Sequence, residues 1–228
     1  MENDWKELLK KAVLLLDKAG ISREEWSLGG GTALMIYYHH RKSRDIDIFL
    51  TNPQYITYLS PRLNQLSEQI SDRYEEQSNF LKLYLGDREI DFIIAGNLTG
   101  LLPQWKNINS LKIQIEKPEE IVIKKLFYRP YALKVRDVID TAVVYRHNPD
   151  LTRIIKSKNI RLNLEEIQLS LKRIEKQDIK PVLQKLSLEK NLSEEDFAEY
   201  LETFKEFLKQ IRKNNNPSRR KGITKFRN

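Results

Sequence analysis

The chain of 228 residues contains no cysteine and three histidines, which excludes a disulfide framework, a thiolate metal site and a histidine-rich one. Any metal must be held mainly by carboxylates. Long apolar runs are missing too: stretches such as "AVLLL" and "FIIA" fall far short of the roughly 20 residues needed to cross a bilayer. The opening "MENDWKELLKK" lacks the apolar centre of a cleavable signal, so the expected compartment is the cytoplasm, with no membrane association. A hydrophobic content of 40%, with 9% aromatics, is still enough for a substantial core.

Basic residues outnumber acidic ones, but the excess is local. From Arg212 onward stand seven Lys and Arg and no acidic residue, so of the net charge of +8 only +1 remains for residues 1–211. Residues 213–228 are expected to form a flexible basic tail. It could meet RNA phosphates by counterion release, or merely keep the terminus soluble.

Glycine is scarce, eight in all, yet three stand together as Gly29, Gly30 and Gly31. A triple glycine marks a place where the main chain takes conformations closed to other residues or lets something approach closely. Thr32 and the helix-forming "ALMIYYHH" follow, so the N–H groups at that helix start form a place for an anionic phosphate. Thirteen residues separate Gly31 from "DIDI". In a strand Asp45 and Asp47 share one face while Ile46 and Ile48 enter the core. Neighbouring carboxylates repel and nothing in folding asks for them, whereas a divalent cation such as Mg²⁺ takes oxygen ligands together with substrate phosphates. Later, "REIDF" offers Asp91 as a third carboxylate, and "IVIKKLFYR" offers Lys124 and Lys125 as point charges for a triphosphate. Each feature alone has a plain structural reading as a turn, a solvated strand face or an exposed helix face. Their occurrence together points to phosphoryl chemistry.

Periodicity predicts a helix over 4–19 ended by Gly20, a turn or short helix at "SREE", a strand at "IDIFL", and one or two helical pieces interrupted near Pro61. The clearest hairpin is "NFLKLYLGDREIDFIIAG", followed by one more short strand before Pro118. Pro118, Glu119 and Glu120 open a helix, and "KVRDVIDTAVVYR" forms another that ends near His147. Beyond residue 150 only amphipathic helical segments are found. The expected fold is therefore α+β, a mixed sheet with flanking helices over 1–150, then a helical bundle over 151–212 and the tail.

The glycines, "HRKSRDIDIF", "EIDFI" and "KKLFYRPYALKVRDVIDTA" together resemble the AbiEii/AbiGii-type nucleotidyltransferase toxin family, within the DNA polymerase β-like superfamily. The resemblance covers residues from about 28 to 145. It implies that Gly30, Gly31 and Thr32 cradle nucleotide phosphates, and that Asp45, Asp47 and Asp91 hold Mg²⁺ or Mn²⁺. Asp91 would serve as ligand or base for the incoming hydroxyl, and Lys125 would contact the triphosphate. Arg41, Ser43, Arg136, Asp137 and Asp140 match positions that support the site, while His40 reads as a packed histidine. The third glycine, Gly29, departs from the pattern at little cost.

The implied activity is transfer of a nucleoside monophosphate from an NTP to an RNA, most plausibly the tRNA acceptor end, or to a protein. The implied setting is a type IV toxin-antitoxin or phage-defence system with a cognate antitoxin. A small-molecule nucleotidyltransferase of the antibiotic-modifying type is the alternative enzyme. A catalytically silent nucleotide- or RNA-binding protein is the alternative outside enzymes.

Overall fold

The computed structural model describes residues 4–188 and 191–215. Helix α1 (Asp4–Lys18) buries Leu8, Leu9, Ala12, Val13, Leu15 and Leu16, the stripe its sequence spacing demands. Gly20, at φ +73, turns the chain out of it. Strand β1 (Trp26–Leu28) leads directly into α2 (Gly30–Tyr38), and strand β2 (Ile46–Leu50) follows with an alternating buried pattern. Two short helices, α3 (Gln54–Leu59) and α4 (Gln65–Ile70), lie either side of Pro61.

A meander comes next: β3 (Tyr74–Gln77), β4 (Phe80–Leu85) and β5 (Arg88–Ile94), then a second hairpin of β6 (Gln104–Ile108) and β7 (Leu111–Ile115). All seven strands form one sheet in the order β3-β4-β5-β2-β1-β7-β6. β2 runs parallel to β5 and antiparallel to β1, so the sheet is mixed, as expected. Its buried side chains, among them Leu28, Ile46, Ile48, Leu81, Leu83, Ile90, Phe92, Ile113 and Ile115, are almost wholly removed from water.

Helix α5 (Pro118–Tyr128) carries Glu119 and Glu120 in its first turn, where the helix dipole favours them. A single 3-10 turn (Pro130–Ala132) links it to α6 (Val135–His147). The remainder is helical: α7 (Leu151–Ser157), α8 (Leu164–Ile174), α9 (Lys180–Leu186) and α10 (Glu194–Asn215). α10 packs on α6 and α7 and extends the same hydrophobic cluster that begins at α1. Of the basic segment expected over 213–228, residues 216–228 lie outside the described residues.

Three strands escaped the sequence reading. β1 has three residues, too few for a period to register. β3 reads "YEEQ", a polar edge strand without an apolar face. "QWKNINSLKIQI" holds two strands rather than one, turned at Asn109 and Ser110, both at positive φ.

Phe204 and Phe207 are fully buried on α10, and the Phe207 ring centroid lies 5.4 Å from that of Tyr145 on α6. Replacing Phe207→Ala should cost about 3–5 kcal/mol in urea denaturation, the usual loss for a buried aromatic. A loss below about 1 kcal/mol would show that α10 does not share this core.

Candidate active site

The glycine run sits where α2 passes over β2. Gly29 N–H donates to the Asp47 carbonyl at 2.9 Å, fixing the turn above the strand. Gly30 has φ +62, and a Cβ there would overlap the Asp47 carboxylate, so backbone and space both require glycine. At Gly31 a Cβ would come within 2.6 Å of Arg41 Nη2 and 2.8 Å of Ser43 Oγ. Even Gly29 leaves no room, since a Cβ would press on the Phe49 ring and lie 2.9 Å from Glu116 Oε2. The run is a close-packed turn beneath an open helix end.

That end carries no side-chain cap, and Ala33 N–H, donating to the Gly29 carbonyl at 3.2 Å, makes the first bond of the helical ladder. The N–H groups of Gly30, Gly31 and Thr32 therefore precede the ladder, at the positive end of the dipole. The Thr32 hydroxyl donates to the Asp45 carbonyl at 2.5 Å, locking α2 to the entry of β2. Thr32 is fully buried and does not line the cleft, so it fastens the turn rather than facing a ligand.

Parallel pairing of β2 with β5 sets Asp47 beside Asp91, and antiparallel pairing with β4 sets Lys82 on the other side of Asp91. Lys82 Nζ lies 3.1 Å from Asp91 Oδ2 and 2.9 Å from Glu89 Oε2. Asp91 Oδ1 is buried without a partner. Burial first, then the charge of Asp47, pushes the Asp91 carboxyl up to about 7. Asp45 is raised as well, by burial and then by Glu89 and Asp47, although the Glu89 N–H donates to it at 3.3 Å. Burial works against the Lys82 ammonium, but the Glu89 and Asp91 carboxylates outweigh it and raise its pKa.

Behind this face the charges are fully matched. Asp140 is completely buried and accepts from Arg41 Nε and Nη2, each at 2.7 Å, from His40 Nε2 at 2.7 Å, and from Lys125 Nζ. Burial would raise its pKa, yet Arg41 and Lys125 hold it well below the usual carboxylate range. Burial lowers the pKa of His40, which is neutral and donates from Nε2 as a packed histidine. Asp137 accepts from Arg129 at 2.6 Å and from the Lys134 N–H at 3.0 Å, and pairs with Lys125 at 3.2 Å. Asp137 and Asp140 thus brace the site, with Lys125 held between them. Lys124 points elsewhere: it is buried against Glu116 and lies 3.4 Å from Glu120, so of the two lysines only Lys125 reaches the cleft.

One cleft of about 130 Å³ gathers Gly30, Gly31, Arg41, Ser43, Asp45, Asp47, Asp91, Lys125 and Arg136 from the expected set. Lys82, Glu89, Arg129 and Lys134 join them. Lys134 and Arg136 make no ion pair among the described residues, and it is chiefly Arg136 that lowers the pKa of Lys134. These two cations crowd the rim, where Lys134 also feels Asp137 and Glu89 and Arg136 acts on Asp45. Among the described residues no three His, Asp or Glu side chains already form a metal-binding group. The donor chemistry does fit a hard divalent cation: three carboxylates, one buried oxygen without a partner, and a lysine that stands where positive charge is needed.

Lys82 and Glu89 were missed from sequence, although a signal was present. With the turn at "GDR" as hinge, counting back along the hairpin pairs Lys82 with Asp91. The buried Glu116–Lys124–Glu120 group was also missed, its members lying on β7's exit and one face of α5.

The family model described as nucleotidyl transferase AbiEii toxin, type IV TA system, matches residues 14–221. A search of the curated proteins finds no match. Among solved structures, the MenT4 nucleotidyltransferase toxin of Mycobacterium tuberculosis H37Rv aligns with a TM-score of 0.47 at 11% identity, over 93% of this chain and 88% of that one. An H. pylori protein described as a candidate nucleotidyltransferase aligns with a TM-score of 0.46 at 16% identity, over 92% and 96%.

Two outcomes follow from this electrostatic arrangement. Asp140→Asn leaves Arg41 and Lys125 without their shared counter-charge and should cost about 3–5 kcal/mol in urea denaturation. A loss under about 1 kcal/mol would contradict the bracing role. Asp91 has a folded pKa of about 7, above its ordinary value, so the folded state binds more protons in between and stability is lost as pH rises from about 4 to about 7. Without divalent ions the thermal midpoint should fall across that range, and Asp91→Asn should flatten the fall. An unchanged pH dependence in the variant would contradict it.

Proposed function

The chain belongs to the nucleotidyl transferase AbiEii toxin family of type IV toxin-antitoxin systems, and we propose that it transfers a nucleoside monophosphate from an NTP to an RNA acceptor with release of pyrophosphate. The observation that carries this reading is the contact of Gly30 with Asp47, which brings a helix start suited to phosphate directly against a carboxylate face. The N–H groups of Gly30 and Gly31 would take phosphate oxygens, with Thr32 fastening the turn behind them, while Arg136 and Lys125 supply positive charge at the cleft.

Asp45, Asp47 and Asp91 would hold Mg²⁺ or Mn²⁺, which when bound supplies charge neutralisation at the phosphates and activation of the hydroxyl. Lys82 would move from Asp91 toward Glu89 to free the carboxylate. In the transfer the acceptor oxygen bonds to the α-phosphorus, the bond from that phosphorus to the pyrophosphate oxygen breaks, and the hydroxyl proton passes to a carboxylate of the face. Asp91, beside Asp47 and with one oxygen unpartnered, would serve as ligand or as the base that takes it.

An RNA acceptor is supported by the unpaired Lys134 and Arg136 at the rim and by the basic segment after Arg212. A tRNA end, a cognate antitoxin and a role in phage defence extend the family reading. No helix among the described residues is long and apolar enough to cross a membrane. Action in the cytoplasm extends the family reading.

Incubation with total cellular RNA, Mg²⁺ and each α-³²P-labelled NTP in turn should label one RNA size class. Asp47→Asn should lower that labelling by at least about 100-fold, since charge stabilisation supplies most of the rate. Relief of the carboxylate repulsion should leave its thermal midpoint unchanged or higher. RNA that stays unlabelled with all four NTPs, beside a labelled protein or small molecule in lysate, would overturn the RNA acceptor.

A further inference from the structure

The segment from Phe127 to Arg136 leaves the active cleft with three aromatic rings turned to solvent. Phe127 is 39% exposed, Tyr128 49% and Tyr131 61%, and Leu169 on α8, at 53%, lines one groove with Tyr131. Two exposed apolar pairs, Phe127 with Tyr128 and Tyr131 with Leu169, thus stand either side in sequence of Arg129, which lines the cleft. Monomeric surfaces rarely concentrate apolar area in this way unless it meets something.

The main chain of this ledge is pinned from beneath. Ser170 Oγ donates to the Pro130 carbonyl at 2.7 Å, and Arg173 Nη2 donates to the Tyr131 carbonyl and, at 2.9 Å, to Ser170 Oγ. Phe127 and Tyr128 stack edge to face with ring centroids 5.0 Å apart. The rings are therefore held out from a fixed backbone, which lowers the ordering cost of binding.

The charge around them has one predominant sign. From Lys124 to Arg136 the chain reads "KKLFYRPYALKVR", five cations of which Lys124, Lys125 and Arg129 are held by carboxylates of other segments or of α6, leaving Lys134 and Arg136. Lys134 and Arg136 on the cleft side, and Lys172 and Lys176 on the α8 side, make no ion pair among the described residues. Glu166 is the acidic residue of the groove beside Tyr131. Exposed rings flanked by Lys134 and Arg136 on one side and Lys172 and Lys176 on the other suit a strand of nucleotides, whose bases stack on the rings while the phosphates meet the cations. Fully paired bases offer no free faces to such a ledge.

We propose that the ledge formed by Phe127, Tyr128 and Tyr131 with Leu169 binds the unpaired stretch of the RNA acceptor and leads its end past Arg129 and Arg136 into the cleft. This rests on the RNA-transfer reading above. It adds a substrate requirement, namely single-stranded nucleotides next to the modified end. Tyr128 and Tyr131 are positioning residues, acting on where the acceptor lies rather than on the reacting atoms.

The test is fluorescence anisotropy with a 5′-labelled 12-nucleotide single-stranded RNA and with a blunt 12-base-pair RNA duplex. Wild type, Tyr128→Ala/Tyr131→Ala and the control Tyr58→Ala, an exposed tyrosine elsewhere, are compared. Stacking is worth about 1–3 kcal/mol per base, so the double variant should bind the single strand at least about tenfold more weakly, with the control unchanged. The salt dependence should persist, because the lysines and arginines remain. The double variant should raise KM for RNA in the labelling assay and leave KM for the NTP unaltered. Single-strand affinity within about twofold of wild type, or equal binding of the duplex, would overturn the ledge. A wild-type dimer in sedimentation that the double substitution dissociates would also overturn it, by assigning the rings to a second copy. Labelled RNA with an unchanged KM would sink the ledge while the transfer reading stands. Tight, ring-dependent RNA binding without labelling by any NTP would do the reverse.

Discussion

The site depends on one buried carboxylate. Asp140 lies wholly out of water, and an uncompensated charge there would cost several kcal/mol. Its compensation comes from two places in the chain at once, His40 and Arg41 after α2 and Lys125 on α5, and so ties both to α6. Arg41 then backs Gly31, whose missing side chain leaves the guanidinium its space. The start of α2 cannot shift without disturbing this network. Placement of the helix end over β2 is thus a consequence of charge balance one layer behind it.

The carboxylate face in front is balanced in the opposite sense. Asp45, Asp47 and Asp91 crowd together, Lys82 covers one oxygen of Asp91, and the other oxygen has no partner. Burial and mutual repulsion raise the pKa of both Asp45 and Asp91, whereas the cations around Asp140 depress its pKa. Clusters poised in this way are candidates for function, because folding alone does not favour them. A region held rigid by matched charge therefore presents a region short of positive charge.

Much of this was legible in the sequence because the informative residues were ones that folding does not require. The Asp-Ile-Asp strand and Asp91 carry a mutual repulsion that packing does not offset, and the glycine run is needed where α2 lies closely on β2. The structure brings them into one cleft, with Lys125, Arg41 and Ser43 beside them. Lys82 and Glu89 were not legible from composition, since a lysine and a glutamate alternating along a hairpin resemble an ordinary solvated face. Register alone makes them part of the site. The division of labour between Lys124 and Lys125 was equally hidden: adjacent helix positions lie about 100° apart, and only packing decides which one faces the cleft. Short or polar strands such as β1 and β3 gave no periodic signal because pairing with neighbours, not their own pattern, defines them.

The most direct test is a crystal structure with a non-hydrolysable NTP analogue and Mg²⁺. Triphosphate oxygens at the N–H groups of Gly30 and Gly31, cation density among Asp45, Asp47 and Asp91, and a Lys82 ammonium withdrawn from Asp91 are the expected result. A nucleotide bound elsewhere, with the Lys82–Asp91 pair intact and no cation on the three carboxylates, would contradict the assignment of this cleft as the place of transfer.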